Sequence, residues 1–279
     1  MSPGNGIRRL SLNQATVKQW SVEELVAGCV DAGVPAVGLW REPVAQCGLD
    51  RAAKLVRDAG LRVTSLCRGG FVTASDPQER RRALDDNRRA IEEAATLGAP
   101  VLALVSGGLP EGSRDLDGAR RRIANALAEL APHAAGHGVR LAIEPLHPMY
   151  CSDRCVIVTL EQALEIAERF PASQVGVMVD TYHVWWDPRV YAQIARAGER
   201  IAGLQVADWA TPLPRGALSG RALPGAGCIE LRRLRDAVDA AGFRGMVEVE
   251  VFNGRLWRMP GRQLLDLVVA RYREHLPEG

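Results

Sequence analysis

Glu144, Asp180, Gln205 and Glu250 each stand at or next to the end of a short apolar run: VRLAIE, QVGVMVD, IAGLQV and GMVEVEV. A loop and then a helix-like stretch follow each run. Apolar runs of this length, bounded by turns, read as strands of a buried parallel sheet. Residues of matching parity at the same end of neighbouring parallel strands converge. Three carboxylates and a carboxamide brought together would repel or desolvate one another unless a cation sat between them. Hard oxygen donors suit Mg2+ or Mn2+, whereas zinc sites usually include imidazole or thiolate. The first shell is thus all-oxygen unless His183 joins it. Such an ion leaves room for two adjacent substrate oxygens, polarises a carbonyl and acidifies the neighbouring C–H, stabilising an enediolate. Glu144 and Glu250, one on each face, are the candidates to remove and return the proton. With adjacent hydroxyl and carbonyl groups of a sugar on the cation, that is isomerase or epimerase chemistry.

Other rim residues are candidates for holding the substrate. His147 and His183 each follow a candidate ligand by three residues. Arg221 opens the segment RALPGAG, whose glycines let backbone N–H groups approach an oxyanion or hydroxyl, or simply turn the chain into a helix. Trp40, Trp185, Trp186, Trp209 and Trp257 fall near the same rim, where one or two aromatic faces, Trp186 among them, cover a sugar ring. Arg41 and Arg68 are placed to bind an anion or to pair with a rim acid. Glu248 lies deeper than Glu250, and Arg140 is its candidate ion-pair partner. His133 and His137 read as a polar helix face, and Cys151 and Cys155 as unpaired thiols.

These positions need a scaffold that brings strand ends together. Strands are expected at Arg8–Asn13, Ala36–Trp40, Arg62–Cys67, Pro100–Val105, Val139–Glu144, Gln174–Asp180, Ile201–Val206 and Gly245–Val251. Helices are expected near 21–33, 48–59, 76–97, 117–137, 159–169, 188–197, 229–241 and 260–275. Ser21 with Glu24 and Thr159 with Gln162 make capping boxes, and Asp76 precedes Pro77 at a helix start. Eight unbroken strand–helix alternations over 1–279 predict an α/β fold, a single-domain (β/α)8 TIM barrel with its chemistry on the loops after the strands. No Gly-rich dinucleotide loop follows the first strand.

The 279 residues suit one such domain. A net charge of +2, with arginines scattered among acids, gives no footprint for nucleic acid or an anionic membrane. Six sparse cysteines and the absence of a long apolar N-terminal stretch point to a reduced, cytoplasmic protein.

The stretches LAIEPLHP, VMVDTYHVWWDP, LQVADW, RALPGAG and VEVEVFN resemble the sugar phosphate isomerase/epimerase family with the xylose isomerase-like TIM barrel, over nearly the whole chain. The resemblance implies a divalent metal, commonly Mn2+ with Mg2+ or Co2+ as alternatives, held by Glu144, Asp180, Gln205 and Glu250. It further implies that Glu144 and Glu250 form the acid/base pair, that His183 and Arg221 contact substrate, and that the chain forms a homodimer or homotetramer. Two positions depart from the pattern. Gln205 stands where the family usually has His, and Tyr150 where ketose 3-epimerases place a substrate-binding acid. The chain therefore looks less like a ketohexose epimerase than a relative acting on another polyol, keto-sugar or cyclitol, and the substrate need not be phosphorylated. Inosose dehydratases belong to the same family, which makes elimination the alternative reaction. A non-catalytic sugar-binding or partner protein is the second alternative, with Gln205 as its best support.

Overall fold

The computed structural model describes residues 6–214 and 217–278. Its strands are β1 Leu10–Asn13, β2 Ala36–Trp40, β3 Arg62–Gly70, β4 Val101–Val105, β5 Arg140–Ile143, β6 Val175–Asp180, β7 Ile201–Val206, β8 Asp208–Trp209, β9 Arg221–Ala222 and β10 Val247–Val249. Its helices are α1 Val22–Ala32, α2 Arg41–Cys47, α3 Leu49–Asp58, α4 Pro77–Leu97, α5 Leu116–Gly136, α6 Leu160–Ala167, α7 Thr181–Val184, α8 Val190–Ala197, α9 Leu231–Ala240 and α10 Gly261–His275. Strands β1 to β7 and β10 close into an all-parallel barrel, with β10 returning to β1. This is the (β/α)8 barrel that the alternation predicts. No helix among the described residues is long and apolar enough to cross a membrane.

Local chemistry sets the ends of the outer helices. Ser21 Oγ accepts from Glu24 N–H, and the Glu24 carboxylate accepts from Ser21 N–H, which completes the expected box at α1. Gly33 ends that helix in the left-handed region, φ 69°. At α6 only half of the expected box forms: Thr159 accepts from Gln162 N–H, but the Gln162 side chain reaches Val158 N–H instead. Three elements are absent from the expected pattern: α2, α7 and the antiparallel ribbon β8–β9. All three are insertions on the rim after strands.

Side chains alternate in and out along each strand. Outward residues pack under the helices as the main core. Inward, Cys67, Val101, Ala103, Ala142 and Met178 make a small apolar cluster of their own. The rest of the interior is polar: Ser11, Asn13, Ser65, Gln205 and Glu248 are each at most 3% exposed. Glu248 gathers the donors. Asn13 Nδ2 (2.6 Å), Gln205 Nε2 (2.9 Å) and Ser65 Oγ (2.9 Å) donate to its carboxylate, as does Thr64 Oγ1. Arg140 is not its partner. That guanidinium donates to the Glu199 carbonyl at 2.9 Å, and only neutral donors surround the Glu248 oxygens. Gly38 makes the space, since a Cβ there would come within 2.5 Å of the Glu248 carboxylate.

Candidate active site on the barrel rim

Barrel register brings the acids together. Asp180 on β6 pairs with Gln205 on β7, and Gln205 pairs with Glu248 on β10. Glu144 follows β5 directly, and Glu250 follows β10, two residues above Glu248. Glu144, Asp180 and Glu250 are at most 6% exposed. Arg221 Nη1 lies among them, donating to Asp180 Oδ2 and Glu250 Oε2 at 3.0 Å each.

The sequence contains the reason that Arg221 reaches this point. It sits on β9, which pairs with β8, and its N–H donates to the Phe252 carbonyl. Asn253 Nδ2 holds its carbonyl. Its guanidinium packs over Tyr182 and Phe252, 4.7 and 4.9 Å from the ring centroids. The segment after it turns its N–H groups inward. Gly225 and Gly227 donate to Asp208 Oδ2, and Ile229 donates to Asp208 Oδ1, all at 3.0 Å. The glycine turn therefore receives a carboxylate from its own chain and latches the loop that carries Arg221.

Electrostatics follow from burial. Glu144 is pushed well above the usual carboxylate range, by burial first and then by the charges of Glu250 and Asp180. Burial likewise pushes Glu250 up to about 8, with Arg221 opposing and Asp180 adding. Asp180 is raised by burial against the pull of Arg221. Burial works against the Arg221 charge, but Asp180, Glu250 and Glu144 outweigh it and raise its pKa. His183, 1% exposed, falls well below its ordinary value because of burial, then Arg221. It is neutral.

His183 also has an assignable tautomer. The His147 N–H donates to its Nδ1 at 3.1 Å, so the ring proton belongs on Nε2. Nε2 lies 3.7 Å from Asp180 Oδ2, 3.9 Å from Glu144 Oε1 and 3.0 Å from Arg221 Nη2. Two donors thus meet at 3.0 Å, a contact that an acceptor oxygen placed beside both would relieve.

The fit to a divalent cation rests on three observations. Three carboxylates face one guanidinium, leaving about two negative charges uncompensated when all are ionised. Gln205 turns its Nε2 to Glu248, and its buried Oε1 has no hydrogen-bond partner. Ligand atoms of Glu144, Asp180 and His183 lie within 4.8 Å of one another. The donor set suits a hard cation held by Glu144, Asp180 and Glu250, with the Gln205 amide oxygen as neutral donor.

The remaining candidates fall in different places. Arg68 lines the cavity above the acids, packed over Phe71. The His147 ring lies outward, between Trp186 and Trp209, so its backbone rather than its imidazole serves the site. Trp186 donates to the His183 carbonyl at 2.7 Å and buttresses that turn. Arg41 pairs with Asp86 and Glu93 on α4 and is spent there. Tyr150 packs edge-on against His183. Sequence reasoning missed Arg154 and Phe252, which also line the cavity. Phe252 stands two residues beyond Glu250, and that parity was the available signal. Arg154 is one of many loop arginines and carried none. All six cysteines are unpaired, Cys151 and Cys155 included.

The profile of xylose isomerase-like TIM barrels matches residues 26–274. The chain belongs to that family. Within it, the crystal structure of protein SMc04130 from Sinorhizobium meliloti 1021 is 46% identical, with a TM-score of 0.94 over 98% of this chain and 100% of that one. The 3-dehydroshikimate dehydratase of Pseudomonas aeruginosa is 30% identical over 55% of this chain and 25% of its own length. The inosose isomerase of Halalkalibacterium halodurans is 26% identical over 52% of this chain and 51% of its own. The chain thus spans a quarter of the first of these two curated relatives and half of the second.

Proposed function

We propose that this xylose isomerase-like barrel is a divalent-cation-dependent isomerase or epimerase of a sugar, keto-sugar or cyclitol. The observation that carries the reading is the buried trio Glu144, Asp180 and Glu250 around a single guanidinium. A structural role alone would favour apolar residues or a balanced pair there. When bound, a cation would supply Lewis acidity to a substrate carbonyl. Mn2+ is the first candidate and Mg2+ the second.

The chain's own residues divide the rest of the work. Burial raises both Glu144 and Glu250, and in the acid/base pair one carboxylate accepts the proton of an activated C–H while the other carboxyl returns one. Return to the opposite face epimerises the carbon, and return to the neighbouring carbon isomerises the carbonyl. His183 Nε2–H and Arg221 Nη2 are two donors for one substrate oxygen. The Halalkalibacterium relative, an inosose isomerase, supports the isomerase assignment. The Pseudomonas relative, a dehydratase, supports a second reading in which the returning proton goes to a leaving hydroxyl. A homodimer or homotetramer in solution belongs to the same proposal and is read by light scattering.

The test is solvent exchange. With Mn2+ and a panel of ketoses and cyclitol ketones in D2O, the protein is expected to place deuterium on the carbon beside the carbonyl. Glu144→Gln and Glu250→Gln should each lower that rate at least ~100-fold. Exchange undiminished in both variants would remove the acids from the mechanism.

A further inference from the structure

Two cavities open on the rim, and the reading above uses only one. The chamber over Glu144, Arg221 and Glu250 measures about 150 Å³. That is below the ~300 Å³ at which ligand pockets usually begin. It suits a short reacting fragment. Beside it, between the loops after β1, β2 and β10, lies a second chamber of about 410 Å³. Trp40 and Phe252 line both, their rings edge to face at 5.5 Å, so the two chambers share an aromatic wall.

The lining of the second chamber is specific in kind. Gln14 is 2% exposed. Its Oε1 faces the Trp40 N–H at 3.4 Å, while its Nε2 is buried with no partner. An orphaned buried donor costs about 1–3 kcal/mol unless an acceptor arrives. Lys18, one of only two lysines in the chain, is exposed beside it over the Trp257 ring. Glu42 and Gln46 supply acceptors on the facing helix α2. Neither Lys18 nor Glu42 has an ion pair among the described residues. Donors and acceptors interleaved around aromatic faces match hydroxyl groups, each of which both donates and accepts. A phosphate or carboxylate would meet Glu42 as well as Lys18, so the lining offers it no net positive charge.

We infer that the Gln14–Lys18–Glu42–Gln46 chamber binds the non-reacting, unphosphorylated polyhydroxyl part of the substrate, which is therefore a sugar or cyclitol larger than three carbons. This rests on the sugar-enzyme reading and names its substrate class. An anionic tail would meet Lys18 and Glu42 together, with no net attraction, and a three-carbon substrate would leave the chamber unfilled.

The test is binding of defined probes to the full-length protein in Mg2+ buffer, by saturation-transfer NMR titration. The probes are dihydroxyacetone, D-fructose, myo-inositol and D-fructose 6-phosphate. The better of the two neutral six-carbon probes should bind at least about fivefold more tightly than dihydroxyacetone. Lys18→Ala/Gln46→Ala, which alters exposed side chains only, should cost that probe about fivefold and leave dihydroxyacetone unchanged. Equal affinities, an equal loss for both probes, a preference for the phosphate, or no saturable six-carbon binding would each overturn the inference. Cation binding and C–H exchange are read separately. Their failure beside an intact six-carbon preference would refute the enzyme reading and leave the chamber standing.

Discussion

Arg221 is the residue on which the electrostatics of the acid cluster turn. It bridges Asp180 and Glu250, and without it three buried acids would face one another. Arg221→Met keeps much of the volume against Tyr182 and Phe252 but removes the charge. Breaking a buried pair in this way costs about 3 kcal/mol. Denaturant titration of chelator-treated protein should show that loss, and added Mn2+ should restore more stability to the variant than to the wild type. Equal Mn2+ effects on both proteins would mean that Arg221 and the cation do not answer the same charge. At this scale the sequence was informative about type and poor about partners. Strand-end parity identified Glu144, Asp180 and Glu250, because period and position decide which side chains point inward. It did not reveal that Gln205 donates to Glu248, that Glu248 is solvated by Asn13, Thr64 and Ser65 rather than paired with Arg140, or that Arg41 turns to α4. Those outcomes depend on cross-barrel neighbours far apart in sequence.

The elements that carry the site divide into legible and illegible ones on the same grounds. The eight barrel strands and their outer helices show a period, caps and glycine stops, all local signals. The ribbon β8–β9 is two residues a side, and α7 is a single turn, too short to show any period. Yet the ribbon decides where Arg221 sits. Asp208 is its latch, accepting from Gly225, Gly227 and Ile229 N–H. Asp208→Ala would remove the acceptor of four backbone donors, Trp209 N–H included, at about 1 kcal/mol or more each. The expected result is a loss of about 4 kcal/mol in denaturant unfolding, together with faster amide exchange at 225–229. Protected amides there in the variant would show that the loop holds by other contacts. LQVADW and RALPGAG were both visible as motifs. Their mutual hydrogen bonding was not, because a Gly-rich turn suits an inner carboxylate as well as a substrate oxyanion.

At the scale of the whole molecule, the buried acids make the fold itself sensitive to pH and cations. Glu250 has an ordinary pKa of 4.5 and is pushed up to about 8 in the folded chain. A carboxyl raised on folding destabilises the native state once the unfolded chain ionises. Stability should therefore fall as pH climbs above about 4.5 and level off near 8. The melting temperature of chelator-treated protein is expected to drop across that window, and Mn2+ to recover more at pH 8 than at pH 5. A melting temperature that rises over the same range would contradict the assignment. A divalent-cation site formed by Glu144, Asp180 and Glu250 is tested most directly by calorimetric titration of Mn2+ into chelator-stripped wild type and Glu250→Gln. One ion per chain in the wild type, with affinity at least ~100-fold weaker in the variant, is the predicted result. Wild type that binds no Mn2+ or Mg2+, or a variant that binds as tightly as wild type, would contradict it.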